Sequence, residues 1–135
     1  MRSEGDSLKL RDIMTTQVLT TSAERPVAEA TSMMVKARVG SAAVMRGSWL
    51  AGILTERDVL RAAASGSDLT KSPVSEWMTR NPITATPDTT IGEAADVMLA
   101  NGFRHLPVVE GRELKGVVSI RDVLASGIRS RSNPE

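Results

Sequence analysis

Short apolar runs that are rich in β-branched residues and bounded by polar residues or glycine are typical of strands. In the first half of the chain such runs lie at 18–21, 41–45 and 49–54. In the second half they lie at 83–85, 105–109 and 114–119. A glycine separates the last two runs of each half, Gly47 in one and Gly111 in the other, which predicts two hairpins.

The polar segments between these runs carry apolar residues at helical spacing. After the run at 83–85, apolar residues recur at i, i+3, i+4 and i+7, namely Ile91, Ala94, Ala95 and Met98. Thr90 and Glu93 can form a capping box at the start of that helix. In the first half Pro26 suits a first helical turn, and the corresponding stripe is Val27, Ala30, Met34 and Ala37. A second helix is predicted to close each half, at residues 56–64 and 120–126.

The two halves are copies of one another, offset by 64 residues. When Ile13–Ala62 is aligned with Trp77–Ser126 without a gap, 14 of 50 positions are identical, against about three expected from average composition. One copy of roughly 60 residues is only marginally stable by itself. The sequence therefore predicts an α/β (α+β) fold of two β-α-β-β-α repeats, related by pseudo-two-fold symmetry and packed sheet to sheet.

The repeat also predicts the domain boundaries. The first repeat covers residues 8–66 and the second covers residues 74–130, with the polar stretch at 64–73 as the linker between them. Residues 1–7 and 131–135 are expected to be flexible tails, because chain ends without apolar residues to bury are usually poorly ordered.

Composition narrows the class of function. The 17 Lys+Arg and 16 Asp+Glu give a net charge of +1, which does not supply the basic face of a nucleic-acid-binding protein. Aromatic residues, on which bases could stack, are scarce. The absence of cysteine excludes disulfides and thiolate metal sites and fits a reducing compartment. No apolar run approaches the roughly 18 residues needed to span a bilayer, so we expect a soluble, cytoplasmic protein.

Catalytic signatures are missing from the sequence. There is no glycine-rich phosphate loop, and a single histidine without cysteine leaves no dense set of metal ligands. Nothing marks a nucleophile elbow. We therefore expect that the protein is not an enzyme and assign no catalytic or metal-binding residue.

One phrase occurs in both copies where the last strand meets the last helix. It reads G-x-x-[ST]-x-x-D, with the members Gly52, Thr55, Asp58 and Gly116, Ser119, Asp122. The hydroxyl residues can be N-caps, and an acid three residues later is favoured by the positive end of the helix dipole. The glycine allows the strand to bend or another backbone to approach. Helix capping alone is thus one complete interpretation of the phrase.

The element order and this phrase resemble the CBS domain, named after cystathionine β-synthase, whose tandem pairs are called Bateman modules. "DIMT" (12–15) and "EWMT" (76–79) look like the repeat openers of that family, and "RHLPVV" (104–109) is similar to its second-strand signature. The resemblance covers roughly residues 8–128 and implies a stand-alone pair of CBS repeats.

The resemblance implies that the phrase binds an adenosine nucleotide. A carboxylate suits the adjacent 2′- and 3′-hydroxyls of a ribose, a role that falls on Asp58 and Asp122. A hydroxyl beside the free N–H groups of a helix start suits a phosphate, a role that falls on Thr55 and Ser119. The neighbouring arginines could bind phosphate oxygens through their guanidinium forks; these are Arg57 and Arg121.

Other contacts are implied beyond the phrase. Thr20 and Thr84 end the first strands, where the family holds the adenine, although each can equally be an ordinary strand residue. Arg104 and His105 lie where adenine-nucleotide-sensing relatives place basic residues that bind phosphate. A lone histidine is also often structural, and with an ordinary pKa of about 6.5 it would be partly charged near neutral pH.

The two copies predict unequal sites. In the first copy Gly40 and Ser41 stand where the second has its basic pair, and Ala42 leaves more room than Leu106 does. The more basic site is therefore expected in the second copy.

Two functions remain open from the sequence. The first is a regulatory sensor that needs no cofactor, binds AMP, ADP, ATP or S-adenosylmethionine, forms a homodimer and passes its ligand state to an unknown effector protein. The alternative is a ligand-independent protein-interaction or scaffold module. Neither a membrane nor a nucleic acid is expected as a partner.

Overall fold

The computed structural model describes the backbone of residues 8–132 and the side chains of residues 8–127. Within that part the fold is mixed α/β, as predicted, with four α-helices and six strands. The chain forms two compact units. The continuous unit is Gln17–Pro82, and the split unit combines the chain up to Thr16 with the chain from Ile83 onward.

The continuous unit contains two helices and four strands. In chain order these are β1 (Thr20–Thr21), α1 (Val27–Ala37), β2 (Ser41–Arg46), β3 (Trp49–Thr55), α2 (Glu56–Ala64) and β4 (Thr79–Arg80). Strand β2 runs parallel to β1 and antiparallel to β3, and β4 pairs antiparallel with the other edge of β3. Ser41 lies opposite Thr55, so the beginning of β2 and the end of β3 meet at one edge.

The core of the continuous unit lies between its helices and its sheet. Its buried members are Val27, Ala30, Met34, Ala42, Val44, Leu54 and Val74. Ala37, predicted to complete the helical stripe, is exposed instead, at the last turn of α1. The linker at 64–73 packs on this unit, because Val27 and Ala28 donate their N–H groups to the carbonyls of Ser72 and Leu69.

The split unit contains α3 (Ile91–Asn101), β5 (His105–Glu110), β6 (Glu113–Ser119) and α4 (Ile120–Ser132). A 3-10 turn at Leu10–Asp12 belongs to the same unit, since the N–H of Leu10 donates to the carbonyl of Thr89 at 2.9 Å. Strands β5 and β6 form an antiparallel hairpin in which His105 lies opposite Ser119. The buried core of this unit comprises Leu10, Ile91, Ala94, Met98, Leu106, Val108, Val118 and Val123.

In both units the segment that opens a repeat, which we call the opener (12–15 and 76–79), passes close to a glycine in a strand. A Cβ on Gly52 would lie 2.6 Å from the carbonyl oxygen of Thr79, and a Cβ on Gly116 would lie 2.7 Å from that of Thr15. Cβ atoms essentially never come this close to a backbone oxygen, so any side chain here would force the backbone to shift. This confirms the prediction that these glycines allow another backbone to approach.

Most predicted elements are present, including the capping box of Thr90 and Glu93 on α3. Two of the predicted elements were wrong. The run at 83–85 forms only a single parallel bridge, between Ala85 and Val108, rather than a strand. The last helix continues to Ser132 instead of ending near 126, because no proline or other strong helix breaker interrupts the chain before that point. It includes residues 131–132 of the predicted tail; residues 1–7 and 133–135 lie outside the described residues.

Candidate functional site

The first candidate site lies at the junction of β3 and α2 in the continuous unit; we call it the Thr55 site. Thr55 is the N-cap of α2, and its Oγ1 accepts a bond from the N–H of Asp58 at 3.4 Å. In return Asp58 Oδ2 accepts from the N–H of Thr55 at 2.9 Å and from its hydroxyl at 3.0 Å. The capping prediction is confirmed, and the reciprocal bonds fix the carboxylate at the positive end of the helix.

A third donor reaches the carboxylate of Asp58. Arg61 Nη1 donates to Asp58 Oδ1 at 3.1 Å, one helical turn further along α2. The guanidinium of Arg61 also lies over the ring of Trp77, 5.6 Å from the ring centroid, which is within the range of a cation–π contact. Asp58 is only 5% exposed, whereas the side chain of Arg61 is 60% exposed. The acid of this site is thus buried beneath a cation that reaches solvent.

The second candidate site lies at the junction of β6 and α4 in the split unit; we call it the Ser119 site. The N–H of Ser119 donates to Asp122 Oδ2 at 2.9 Å, and the N–H of Asp122 donates to Ser119 Oγ at 3.1 Å. The same capping arrangement is therefore present, with a serine in place of the threonine. Asp122 is half-buried, in contrast to Asp58.

Basic residues lie next to the Ser119 site. His105 is half-buried opposite Ser119 across the hairpin, and the carbonyl of Arg104 accepts from the N–H of Ile120 at 2.8 Å. Strand pairing thus brings Arg104 and His105, 14 or more residues away in sequence, to the start of α4. At the Thr55 site the same register brings Gly40 and Ser41 to the start of α2, where the N–H of Glu56 donates to the carbonyl of Gly40.

The other predicted site residues of the continuous unit have different surroundings. Thr20 is exposed on β1 and lies opposite Ala43 on β2. Ala42 is 1% exposed and packs in the hydrophobic core, so its methyl group faces the core. Arg57 is exposed on the first turn of α2. Strand order places Thr20 and Thr55 on either side of β2. The binding roles of Thr20, Ala42 and Arg57 stay predictions.

In the split unit the predicted residues Thr84 and Arg121 are both exposed. Thr84 precedes the bridge between Ala85 and Val108, where the N–H of Ala85 donates to the carbonyl of Pro107 at 2.9 Å. It therefore lies beside β5, near the middle of that strand, and Arg121 lies in the first turn of α4. Their predicted contacts with adenine and phosphate also stay predictions.

Sequence reasoning missed Arg61 and Trp77. The i, i+3 spacing of Asp58 and Arg61 in a predicted helix would have been enough to predict an ion pair on one helix face. Trp77 had no such signal, because its place under the guanidinium depends on how the segment after the linker packs on α2.

Other classes of site are not found in the described part of the chain. No group of three or more His, Asp or Glu residues within it could hold a metal ion. None of the helices in residues 8–132 is long and apolar enough to cross a membrane.

Comparison with known proteins identifies relatives. The CBS domain family profile matches residues 10–65 and 74–128. The chain is 41% identical over 117 residues to the "Uncharacterized 17.7 kDa protein in bps2 3'region" of Acidianus ambivalens, covering 85% of this chain and 70% of that protein. It is 35% identical over 124 residues to the CBS domain-containing protein YhcV of Bacillus subtilis, covering 91% of this chain and 88% of YhcV.

Among solved structures, the fold is similar to the CBS domain pair of protein MJ0100, crystallised in complex with 5′-methylthioadenosine and S-adenosyl-L-methionine. The TM-score is 0.81 at 27% sequence identity, and the alignment covers 89% of this chain and 97% of the other. Both ligands of that complex contain an adenosine group.

Proposed function

The chain belongs to the CBS domain family, and on this premise we propose that it is a regulatory module which binds an adenosine-containing small molecule. The observation that carries the proposal is the pair of helix starts at which a hydroxyl, an acidic side chain and a strand end are held together by reciprocal bonds. Capping fixes these groups before any ligand arrives, so little side-chain entropy would be lost on binding.

The chemistry of each helix start matches one part of a nucleotide. Asp58 and Asp122 are acceptor-only groups that suit the two hydroxyls of a ribose. The N–H groups of the first helical turn, with the hydroxyls of Thr55 and Ser119, suit a phosphate or another anion. The proposed ligands are AMP, ADP, ATP and S-adenosylmethionine, and the complex of the MJ0100 pair with S-adenosyl-L-methionine supports this class.

The proposed output is a change in the population of two conformations. A ligand that interacts more favourably with one conformation increases its population, and a partner protein that recognises that conformation reads the change. The proposal requires no catalytic step and no resident cofactor, and it places the protein in the cytoplasm, where these nucleotides are abundant.

We also propose that the chain forms a homodimer through its helices. Large apolar side chains are exposed at matching positions of the two copies: Val35 and Leu99 are 72% and 73% exposed, and Leu60 and Leu124 are 70% and 60% exposed. A second copy would remove this apolar surface from water. Sedimentation velocity should show a species of twice the chain mass, and a purely monomeric boundary at micromolar concentration would contradict the dimer.

A second function, a ligand-independent interaction module, is favoured by one observation. The carboxylates of Asp58 and Asp122 are already bonded within their helix starts, so capping accounts for both acids without a ligand. On this alternative, the repeats exist to present surfaces to a partner, and no nucleotide would alter the protein.

Thermal unfolding in the presence of AMP, ADP, ATP and S-adenosylmethionine distinguishes the two functions. A ligand at 100 times its Kd should stabilise the folded state by about 2.7 kcal/mol. The ribose role predicts that 2′-deoxy-AMP stabilises less than AMP, and that Asp122→Asn reduces the gain. The amide oxygen of Asn can still accept the bond from the N–H of Ser119, which makes it the conservative replacement.

Two outcomes would contradict the sensor proposal. If none of the four compounds changes the unfolding temperature, the interaction module is the better description. If ribose and deoxyribose nucleotides stabilise equally, the proposed role of the carboxylates is wrong even though a nucleotide binds.

A further inference from the structure

The two candidate sites differ three residues after the acid. In the Thr55 site the residue at this position is Arg61, and in the Ser119 site it is Ala125. The residue under the guanidinium differs as well, since Trp77 corresponds to Ile13 in the other copy. The cation and the ring that supports it are therefore present at one site and replaced by aliphatic residues at the other.

Because of this difference, the carboxylates of Asp58 and Asp122 accept different numbers of hydrogen bonds. Asp58 accepts three bonds, from the N–H and the hydroxyl of Thr55 on Oδ2 and from Arg61 on Oδ1. Among the hydrogen bonds of the described side chains, Asp122 accepts one, from the N–H of Ser119 on Oδ2. A carboxylate has about four lone-pair sites. Both oxygens of Asp58 are engaged, whereas Oδ1 of Asp122 accepts no bond from the side chains described for residues 8–127.

We propose that Arg61 is a specificity-determining residue that closes the Thr55 site, so that an adenosine ligand binds first at the Ser119 site. This inference rests on the proposed function. Arg61 competes with the ribose hydroxyls for Asp58, and the contact with Trp77 holds it in the competing position. Among the side chains of α4 that the structure describes, up to residue 127, the Ser119 site has no such competitor, and it lies beside Arg104 and His105.

The exposure of Arg61 determines the size of the effect. Its side chain is 60% exposed and hydrated, so an ion pair of this kind contributes modestly, and an exposed cation–π contact adds a similar amount. A ligand at the Thr55 site must displace the guanidinium of Arg61 from Asp58, and this cost should make its binding there about fivefold weaker than it would be without Arg61. Arg61 is a barrier that a ligand at high concentration can overcome, and it would make the two sites fill in order.

The state of the carboxylates can be measured without any ligand. Carbodiimide-driven coupling of glycine ethyl ester, followed by peptide mass spectrometry, reports how accessible each acid is. In the unaltered protein Asp122 should be modified several times faster than Asp58. Arg61→Ala should raise the rate at Asp58 and leave Asp122 unchanged, and Ala125→Arg should lower the rate at Asp122.

A matched control removes a positive charge elsewhere on the same unit. Arg46 is exposed at the end of β2 that lies away from Thr55, so Arg46→Ala should change neither rate. The inference would be overturned if Asp58 were modified as fast as Asp122 in the unaltered protein, or if Arg61→Ala left Asp58 as slow as before.

Calorimetric titration with S-adenosylmethionine and AMP then tests the order of filling. Asp122→Asn should remove the tighter binding event, and Asp58→Asn should leave it in place. Arg61→Ala should strengthen the weaker event about fivefold. If Arg61→Ala weakens binding instead, Arg61 is a ligand contact and the inference is wrong. If the unaltered protein binds neither compound, the proposed function loses its support, while the coupling rates still decide whether Arg61 shields Asp58.

Discussion

The continuous and split units use the same arrangement of an opener over a glycine, but they obtain the opener from different parts of the chain. In the continuous unit the opener follows the linker, and Thr79 on β4 pairs with Ile53 on β3. In the split unit the opener comes from the start of the chain, and Thr15 bridges Val117 on β6. The N–H groups of Thr15 and Val117 donate to each other's carbonyls at 2.9 and 3.0 Å.

This difference shows that the sequence repeats and the compact units have different boundaries. The first repeat starts at its own opener in sequence, yet that opener packs in the unit that holds the strands and helices of the second repeat. The opener of the second repeat likewise packs with the strands and helices of the first. Each unit is therefore complete only when both repeats are present in the chain.

The largest loss of stability is expected from shortening Leu10, the buried side chain two residues before the N-terminal opener. Leu10 is fully buried against the core of the split unit, so Leu10→Ala should lower the free energy of unfolding by about 2–5 kcal/mol. Its counterpart Val74→Ala in the continuous unit should cost less, by roughly 0.8 kcal/mol for the one carbon fewer that it removes. Denaturant unfolding would measure both variants.

Hydrogen exchange locates the effect of Leu10→Ala. The amides of Val108 and Val118 should lose protection more than those of Val44 and Leu54, because only the former lie in the unit that Leu10 completes. Equal loss of protection in both units, or a change in stability below 1 kcal/mol, would contradict the idea that this segment is part of the core of the split unit.

A smaller loss is expected when the opener is pushed away from its strand. Gly52→Ala and Gly116→Ala should each lower the free energy of unfolding by about 1–3 kcal/mol, because the added methyl group forces a backbone shift. Gly92→Ala on α3 is the control, since nothing lies within 4 Å of its Cβ and alanine favours a helix. Losses at Gly52 and Gly116 no larger than at Gly92 would mean that the close approach is not required.

The smallest effect concerns the starts of α3 and α1. Bonds from the N–H and hydroxyl of Thr90 lower the pKa of Glu93, whereas the N-cap residue of α1 is Pro26, which makes no side-chain capping bond. Because the pKa is lower in the folded state, this contribution is present above the ordinary glutamate pKa and is lost as the pH falls through the lowered value.

Acid unfolding of Glu93→Gln tests this contribution. The variant should retain the cap but lose the component of the pH dependence that the carboxylate supplies. Asp88, whose pKa is lowered by the hydrogen bond and charge of Arg11, acts with the same sign and persists in the variant. Glu29→Gln, at the matching position of α1, is the control. An unchanged pH profile in Glu93→Gln would show that the carboxylate of Glu93 contributes nothing measurable.

Local patterns were sufficient to predict the hairpins, the N-caps Thr55 and Ser119 and the capping box of Thr90 and Glu93. Thr55 and Asp58 are three residues apart, and so are Thr90 and Glu93, so their bonds depend only on backbone geometry that the sequence favours. The prediction failed where the local signal was weak. The run at 83–85 is apolar enough for a strand, but only Ala85 finds a partner, and the number of partners depends on a distant strand.

By itself the sequence determined the repeated unit, its element order, the family and the acids that its helix starts present. The repeat, the element order and the acids follow from spacing along the chain, which sets the face that each side chain occupies, whereas the family follows from the resemblance of the motifs and the profile match. Only the tertiary structure decided which unit each opener completes, and that Trp77 lies beneath the Arg61 guanidinium that bonds Asp58, a cover that Asp122 lacks among the described side chains. Those outcomes depend on contacts between residues far apart in the chain, because packing, and not local propensity, selects among the partners that a segment could meet.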